Sequence, residues 1–310
     1  MPVPGEPQRS DVSTARARAR ARVVLVTGKG GVGKTTVSAA LAVAESSREG
    51  ATLVEFGDGE AGRRALGKHA ARRGLEHLVV SSRDAVTALG TSVFGSALLA
   101  RAVLTNFAVD RFLRAAPAVR EVAMLEAVRR AAEERPRRRI IVDMPATGHG
   151  VAWLRVPAQL SGLLGSGPLF DVTERLRRDL LGPGKTAIVI VTLPERLVVR
   201  ETLDLWRAMR ETVHMTPARL IINRFPRELP SSAEAEARAL AEGAAREALR
   251  DAAAAAGRAI GVRAAAHAEA RDMEALAQRE TSAAPLTIPE RAVDPDVAET
   301  AGVLVAGGWA

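Results

Sequence analysis

A glycine-rich turn between an apolar run and an amphipathic segment, within residues 23–42, constrains the fold of this chain most. The stretch reads VVLVTGKGGVGKTTVSAALA and contains the pattern G-x-x-x-x-G-K-[ST] from Gly28 to Thr35. A buried strand before this pattern and a helix after it are the context in which such a turn binds phosphate. Glycines let consecutive backbone N–H groups turn inward on an anion, and the helix N-terminus adds its dipole. The stretch therefore predicts a strand, a phosphate-binding loop and a helix.

Each position of the loop has an expected role. Lys34 is expected to reach the β- and γ-phosphates of ATP, and the Thr35 hydroxyl to bind Mg²⁺. The other loop positions predicted to contact the nucleotide are Gly28, Gly30, Gly31, Val32, Gly33 and Thr36. ATP and Mg²⁺ are therefore the predicted ligands.

Short apolar runs alternate along the chain with amphipathic segments of helical spacing. Strands that are apolar throughout are typical of a parallel sheet covered by helices on both faces. The predicted fold class is therefore α/β, a doubly wound and mostly parallel sheet of the P-loop NTPase type. The predicted strands are 23–27, 51–56, 77–80, 138–144, 186–192 and 218–224, and the predicted helices include 36–47, 195–213 and 233–256.

Three segments depart from this alternation. Residues 1–21 are rich in arginine and alanine with no period that could pack, and we expect a disordered tail. The rest, 22–310, is expected to form one domain. Segments of about 92–133 and 151–182 contain no good strand but have apolar residues at helical spacing. They are interpreted as helical insertions that form a subdomain; the alternative is that they are ordinary crossover helices.

The composition limits the classes of partner and binding site that this chain can have. The net charge is +8, but only four of the 44 basic residues are lysines, which indicates a generic arginine-rich surface, so nucleic acid is an unlikely partner. The chain has no cysteine, which excludes thiolate zinc sites and thiol-dependent metalloid binding. No apolar run approaches the roughly 20 residues of a spanning helix, so no stable membrane insertion is expected. The expected compartment is the cytoplasm.

Lys29 precedes the lysine that a phosphate loop needs and gives the variant K-G-G-x-G-K-[ST]-[ST]. This variant resembles the deviant Walker A motif of the P-loop ATPases that include MinD and ParA proteins, nitrogenase iron protein, and the arsenite-pump and tail-anchored-protein-targeting ATPases. In that group the first lysine reaches the partner subunit's nucleotide. The resemblance implies that Lys29 acts in trans, in a homodimer or in a heterodimer with a paralogous ATPase.

The stretch RRRIIVDMPATGHGVAWLRVP, residues 137–157, points to one branch of that group. An apolar strand that ends in Asp143 is typical of Walker B, with the carboxylate beside Mg²⁺. The following PATGH is similar to switch II of the arsenite-pump and targeting (ArsA/GET) family. The resemblance implies that the backbone of Gly148 approaches the γ-phosphate and that His149 couples the switch to the helical segments.

Two later motifs match the same family in order, and the resemblance covers about residues 22–306. VTLPERLVVRETLDLW, 191–206, resembles an acidic segment of that family, with Glu195 and Glu201 in the acidic places. LIINRFP, 220–226, resembles a strand end whose asparagine reads adenine, which implies that role for Asn223. APLTIPE, 284–290, resembles a loop that closes over the base and includes Pro285.

The segment LVEFGDGEAGRRALG, 53–67, departs from the family pattern. The family's switch I aspartate, which polarises the attacking water, falls here at Gly57, with Asp58 one residue later. The form resembles the paired bacterial ArsA-like ATPases. Either Asp58 reaches the water after a one-residue shift of the loop, or this subunit hydrolyses ATP slowly.

The sequence as a whole predicts a Mg²⁺-dependent ATPase whose nucleotide-gated dimer acts on an unknown client protein. The predicted catalytic residues are Lys29, Lys34, Asp58 and Asp143, and the predicted metal ligands are Thr35 and Asp143. Two alternatives remain open: a nucleotide-binding regulatory or structural subunit with little hydrolysis, and a ParA/MinD-like positioning ATPase that acts on DNA or membrane.

Overall fold

The computed structural model describes residues 21–96, 98, 117–145, 150–230, 232–244, 246–291 and 296–309. Its centre is a seven-stranded, fully parallel sheet with the strand order β3-β2-β4-β1-β5-β6-β7. This confirms the predicted α/β class. The strands are β1 Val23–Thr27, β2 Ala51–Phe56, β3 Leu75–Val80, β4 Arg139–Asp143, β5 Thr186–Thr192, β6 Arg219–Phe225 and β7 Leu286–Pro289.

Helices connect the strands and cover both faces of the sheet. Those before β4 are α1 Lys34–Ser46, α2 Glu60–Leu66, α3 Ser82–Phe94 and α4 Pro117–Glu134. Those after β4 are α5 Gly150–Leu164, α6 Pro168–Arg175, α7 Arg196–Glu211, α8 Ala233–Gly243, α9 Glu247–Thr281 and α10 Val297–Leu304. A 3₁₀ turn spans Gly67–Ala71, and π-helical turns span Leu176–Leu180 and Val305–Trp309.

The central strand β1 is buried on both faces, and its residues alternate between two cores. Val24 and Val26 face the cluster that includes α1 and α10, while Val23 and Leu25 face the cluster that includes α4, α5 and α7. Side chains of successive strand residues point to opposite faces, so a strand covered twice must be apolar throughout. That requirement is why the continuous apolar runs predicted the strands.

The predicted insertions 92–133 and 151–182 contain helices and no strand in their described parts. Their apolar side chains, such as Val122, Trp153 and Leu176, lie in the same cluster as Leu25 of the sheet. A shared core is typical of crossover helices that cover a sheet, so this packing favours the alternative interpretation for the described helices. The predicted tail lies outside the described residues except for Ala21.

The region after β6 differs from its predicted single helix at 233–256. The chain turns near Ala244, and α9 then continues to Thr281. Gly257 and Gly261 suggest an end to the helix, but the many alanines around them keep helix propensity high enough to continue. The buried residues of α9 all lie in its C-terminal part: Ala270, Met273, Ala277 and Thr281. Among the described residues, no helix combines the length and apolarity that crossing a bilayer requires.

A buried polar cluster fastens the C-terminal turn to the sheet. The Trp309 side chain is 1% exposed, and its Nε1 donates a hydrogen bond to Glu45 Oε1 at 2.9 Å. Arg139 Nη1 donates to the same oxygen at 2.7 Å, and its guanidinium lies 5.3 Å from the Trp309 ring centroid. Burial lowers the pKa of Arg139, against the opposing effect of Glu45. One ion pair and one indole therefore join α1, β4 and the chain end.

We expect Trp309→Ala to lower the free energy of unfolding by about 3–5 kcal/mol, because it removes a buried aromatic side chain and a partner of Glu45. Urea unfolding followed by circular dichroism measures this change. Leu163→Ala is the control, since Leu163 is 80% exposed and its truncation should change stability by less than about 0.5 kcal/mol. Equal unfolding midpoints for the two variants would show that Trp309 does not fasten the fold.

Candidate functional site

The phosphate loop follows β1 at the carboxyl edge of the sheet. β1 pairs with β4 on one side and with β5 on the other, so the ends of three strands meet around the loop. In open α/β sheets the crevice outside the carboxyl ends of the strands is where ligands bind. Gly28 and Gly30 belong to the loop, and Thr36 lies in the first turn of α1.

Lys34 is held inside the loop. Its side chain is buried, and Nζ donates a hydrogen bond to the backbone oxygen of Lys29 at 2.8 Å. Burial lowers the pKa of Lys34, and the charge of Asp143 opposes that shift. A buried ammonium with one backbone partner gains strongly from an anion, because the anion replaces the lost hydration.

Asp143, at the end of β4, is bonded to the first turn of α1. Thr35 Oγ1 donates to Asp143 Oδ2 at 2.6 Å, and Ser38 Oγ donates to Asp143 Oδ1 at 3.2 Å. Burial raises the pKa of Asp143, while the two hydroxyl donors and the charge of Lys34 lower it. Sequence reasoning missed Ser38, although its place three residues after Thr35 puts both hydroxyls on one helix face.

Asn223 reaches the loop from β6. It is buried, and Nδ2 donates a hydrogen bond to the backbone oxygen of Val32 at 2.9 Å. Gly33 has φ 91°, and a Cβ built on it would collide with the Asn223 amide. The amide therefore braces the loop, which sequence reasoning did not foresee. The reading of adenine by Asn223 stays a prediction.

Unlike Lys34, Lys29 pairs with a residue outside the phosphate loop. Its Nζ lies 2.6 Å from Glu201 Oε2 of α7, and both side chains are about half exposed, at 45% and 46%. Lys29 is absent from the lining of a cavity of about 370 Å³ beside the loop. That lining comprises Gly31, Gly33, Lys34, Thr35, Glu55, Phe56, Ala61, Asp143, Met144 and Pro145.

Asp58 does not line this cavity. It lies on an exposed turn, where its Oδ1 accepts a hydrogen bond from the backbone N–H of Glu60 at 3.0 Å. Gly57 is exposed with φ 124°, and its N–H donates to Val80. Gly148 and His149 lie outside the described residues.

The predicted role of Pro285, in a loop that closes over the base, stays a prediction. Pro285 precedes β7, whose Leu286 pairs in parallel with Ile221 of β6. The start of a parallel strand lies toward the opposite edge from the phosphate loop, so the structure does not bring Pro285 to the loop. Glu290 lies at the correct edge, where its N–H donates to the Phe225 oxygen at 2.7 Å.

Two further clefts differ in their relation to the loop. One of about 390 Å³ lies at the carboxyl ends of β5, β6 and β7, and its lining includes Pro194, Glu195, Arg224, Pro226 and Glu290. The other, about 700 Å³, includes Thr186 at the start of β5 and therefore opens at the opposite edge of the sheet. Size alone would favour the second, but it has none of the phosphate-binding groups described above.

Comparisons with known proteins agree with this geometry. The family model described as anion-transporting ATPase matches residues 21–58, from just before β1 to Asp58. ATPase BagA of Mycobacterium tuberculosis and the "Putative ATPase Mb3704" of Mycobacterium bovis are each 28% identical over 238 residues. Each match covers 69% of this chain and 69% of the relative. The chain resembles the ArsA-like P-loop ATPases.

This resemblance is distant in sequence but agrees with the fold. The segment that matches the family model contains the phosphate loop and α1, and the sheet around them is parallel throughout. ATP hydrolysis is the activity of this class. The match ends at the segment where the sequence departs from the family's switch I.

We expect Asn223→Ala to weaken binding of tripolyphosphate, which has no base, by about 3- to 10-fold, because the Val32 oxygen loses its partner. Asn223→Asp should weaken it further, since a carboxylate would face that oxygen. Titration calorimetry with tripolyphosphate and with ATP measures both effects. If only ATP binding weakened, Asn223 would serve the base and not the loop.

The stability of the ligand-free ATPase should depend on pH through Asp143. Because the folded-state pKa lies above the ordinary value of 3.8, this group stabilises the fold below the unfolded pKa. That contribution is lost as the pH rises through the folded pKa. Asp143→Asn lacks it, so the variant should gain stability relative to the wild type as the pH rises from about 4. Urea titrations at several pH values test this; a constant difference would contradict it.

Proposed function

We propose that this ArsA-like ATPase hydrolyses ATP with Mg²⁺ in a two-subunit assembly and transmits the resulting change to a partner protein. The observation that carries the proposal is the different placement of the two loop lysines. Lys34 is buried against its own loop, whereas Lys29 is half exposed on the rim and paired with Glu201. One lysine serves the subunit's own phosphates, and the other is available to a neighbour.

The donor set suits Mg²⁺. Thr35 and Asp143 offer a hydroxyl and a carboxylate whose oxygens lie 2.6 Å apart, and Mg²⁺ prefers such hard oxygen ligands. Burial of the Asp143 carboxylate without a cation is costly, as its raised pKa indicates. When bound, Mg²⁺ would neutralise charge on the β- and γ-phosphates. Thr35 and Asp143 would hold it, while the loop N–H groups and Lys34 would orient the phosphates.

The adenine has room in the cleft of about 390 Å³ at the ends of β5, β6 and β7. Asn223 joins that cleft to the phosphate loop, since the next residue, Arg224, lines the cleft while the Asn223 amide contacts Val32. Glu195 and Glu290 supply acceptors at its rim.

Pairing of subunits gives Lys29 its function. At about half exposure, its pair with Glu201 contributes little stability, so a stronger anion can displace the carboxylate. The negative charge that builds up on a neighbour's γ-phosphate is such an anion. For a partner protein, the helical layer offers exposed apolar side chains, Phe94 and Leu163, at the ends of α3 and α5.

A second candidate is a nucleotide-binding regulatory subunit with little turnover. The placement of Asp58 favours it, because that carboxylate is exposed and bonded within its own turn. A missing water-positioning carboxylate would lower the rate by on the order of 10²-fold. Phosphate release by the purified chain separates the two candidates.

Mixing two inactive variants tests the paired mechanism. We expect Lys29→Ala to bind ATP within about 3-fold of the wild type but to lose at least about 10²-fold in turnover. Lys34→Ala should lose ATP binding. In a mixture, the Lys34→Ala subunit still supplies Lys29 to the intact nucleotide of the Lys29→Ala subunit, so turnover should return to a measurable fraction of the wild-type rate.

The control is the double variant Lys29→Ala/Lys34→Ala mixed with Lys29→Ala, which offers no Lys29 and should restore nothing. If the first mixture also stays inactive while both variants remain folded by circular dichroism, Lys29 does not act in trans. A wild-type rate for Lys29→Ala alone would contradict any catalytic role of this lysine.

A further inference from the structure

A second buried carboxylate lies next to the phosphate loop. Glu55 is in β2, directly opposite Asp143 in the parallel register between β2 and β4. Its side chain is 7% exposed and lines the cavity that contains Lys34, Thr35 and Asp143. Residues paired across neighbouring strands point to the same face, so the two carboxylates stand side by side. The charge of Glu55 acts on Asp143 by raising its pKa.

The position of Glu55 is fixed by two donors on one oxygen. His77 Nε2 lies 2.8 Å from Glu55 Oε2, and the backbone N–H of Gly62 donates to the same oxygen at 3.0 Å. A Cβ built on Gly62 would collide with that oxygen and approach His77 Nε2 to 2.8 Å. Glu55 and His77 can therefore meet here only because residue 62 has no side chain. Oε1 has no hydrogen-bond partner among the described residues.

A purely architectural role explains this arrangement poorly. A buried carboxylate beside another one is costly, and an apolar residue at 55 would suit a strand that is mostly buried and apolar. A ligand that binds the remaining oxygen, Glu55 Oε1, would offset the cost of burying this carboxylate. The usual switch I position is taken by Gly57, and Asp58 is exposed on its turn, so the cavity receives its carboxylates from the strands β2 and β4.

We propose that Glu55 is the catalytic carboxylate that orients the attacking water, and that His77 and the Gly62 N–H are positioning groups. The inference rests on ATP hydrolysis as part of the proposed function. Glu55 Oε1 accepts a hydrogen bond from the water, whose oxygen forms a bond to the γ-phosphorus. The bond from that phosphorus to the β–γ bridging oxygen breaks, and its electron pair stays on ADP. One water proton remains on inorganic phosphate, and the other leaves to solvent.

The test compares three matched substitutions. Glu55→Gln keeps the size of the side chain but weakens the acceptor, and should lower turnover by at least about 100-fold while ATP affinity stays within about 3-fold. Glu76→Gln is the control, because Glu76 lies on neighbouring β3, bonds Arg135 and Thr52, and is absent from the cavity lining. Asp58→Asn tests the competing carboxylate and should keep turnover within about 3-fold.

A readout other than turnover separates catalysis from folding. After incubation with ATP and Mg²⁺ and rapid desalting, Glu55→Gln should retain ATP where the wild type retains ADP. The thermal shift caused by a slowly hydrolysed ATP analogue should match that of the wild type. His77→Phe should lower kcat with a smaller change in KM, because Oε2 loses one of its two donors.

Three results would overturn the assignment. Glu55→Gln could keep wild-type turnover, Asp58→Asn could abolish it, or the wild type could bind ATP without turnover. The last would also remove hydrolysis from the proposed function but leave nucleotide binding in place. If the wild-type monomer hydrolysed ATP and Glu55→Gln did not, the result would contradict the two-subunit mechanism but support the role of Glu55.

Discussion

Two hydroxyl-to-carboxylate hydrogen bonds hold the site together: Thr35 and Ser38 of α1 both donate to Asp143 of β4. They fix the start of α1 against a strand that is distant in sequence but adjacent to β1 in the sheet. The loop between β1 and α1 therefore has both ends set by the fold. On its other flank, the Asn223 amide holds the Val32 oxygen. A loop braced from β4 and β6 can present its N–H groups to an anion with little reorganisation.

This arrangement concentrates charge where the sheet is otherwise apolar. Lys34, Asp143 and Glu55 are all buried at the carboxyl edge, and burial disfavours the charged forms of Lys34 and Asp143. Proteins retain such groups at sites where function needs them, at a cost in stability. The stability comes from elsewhere: two apolar cores on opposite faces of the sheet, and the cluster of Glu45, Arg139 and Trp309.

The sequence predicted best what depends on neighbouring residues. The strand, loop and helix from Val23 to Ser46 follow from apolar runs and glycine spacing, and the parallel sheet follows from strands that are apolar on both faces. Contacts between distant segments were harder. The motif around Asn223 resembles a base-reading one and therefore predicts a contact with the base. Its contact with Val32 joins two segments that are distant in sequence, so only the folded chain shows it. The sequence also does not show that Pro285 lies at the start of β7, away from the phosphate loop.

In the sequence, Glu55 lies within a mostly apolar run that predicts a strand, and nothing near it indicates a site. Only the register of β2 against β4 shows that its carboxylate stands beside Asp143. The length of α9 also exceeded the prediction, because two glycines in an alanine-rich run are weaker helix breakers than they look in isolation.

The central claim is that ATP binds at the carboxyl edge, on the loop braced by Asp143 and Asn223. Amide hydrogen exchange with and without a slowly hydrolysed ATP analogue and Mg²⁺ tests it most directly. The account predicts slower exchange in residues 28–38 and at the ends of β4 and β6, with no change at the opposite edge. Protection confined to the larger cleft at residues 182–186 and 212–216, with the loop unchanged, would contradict it.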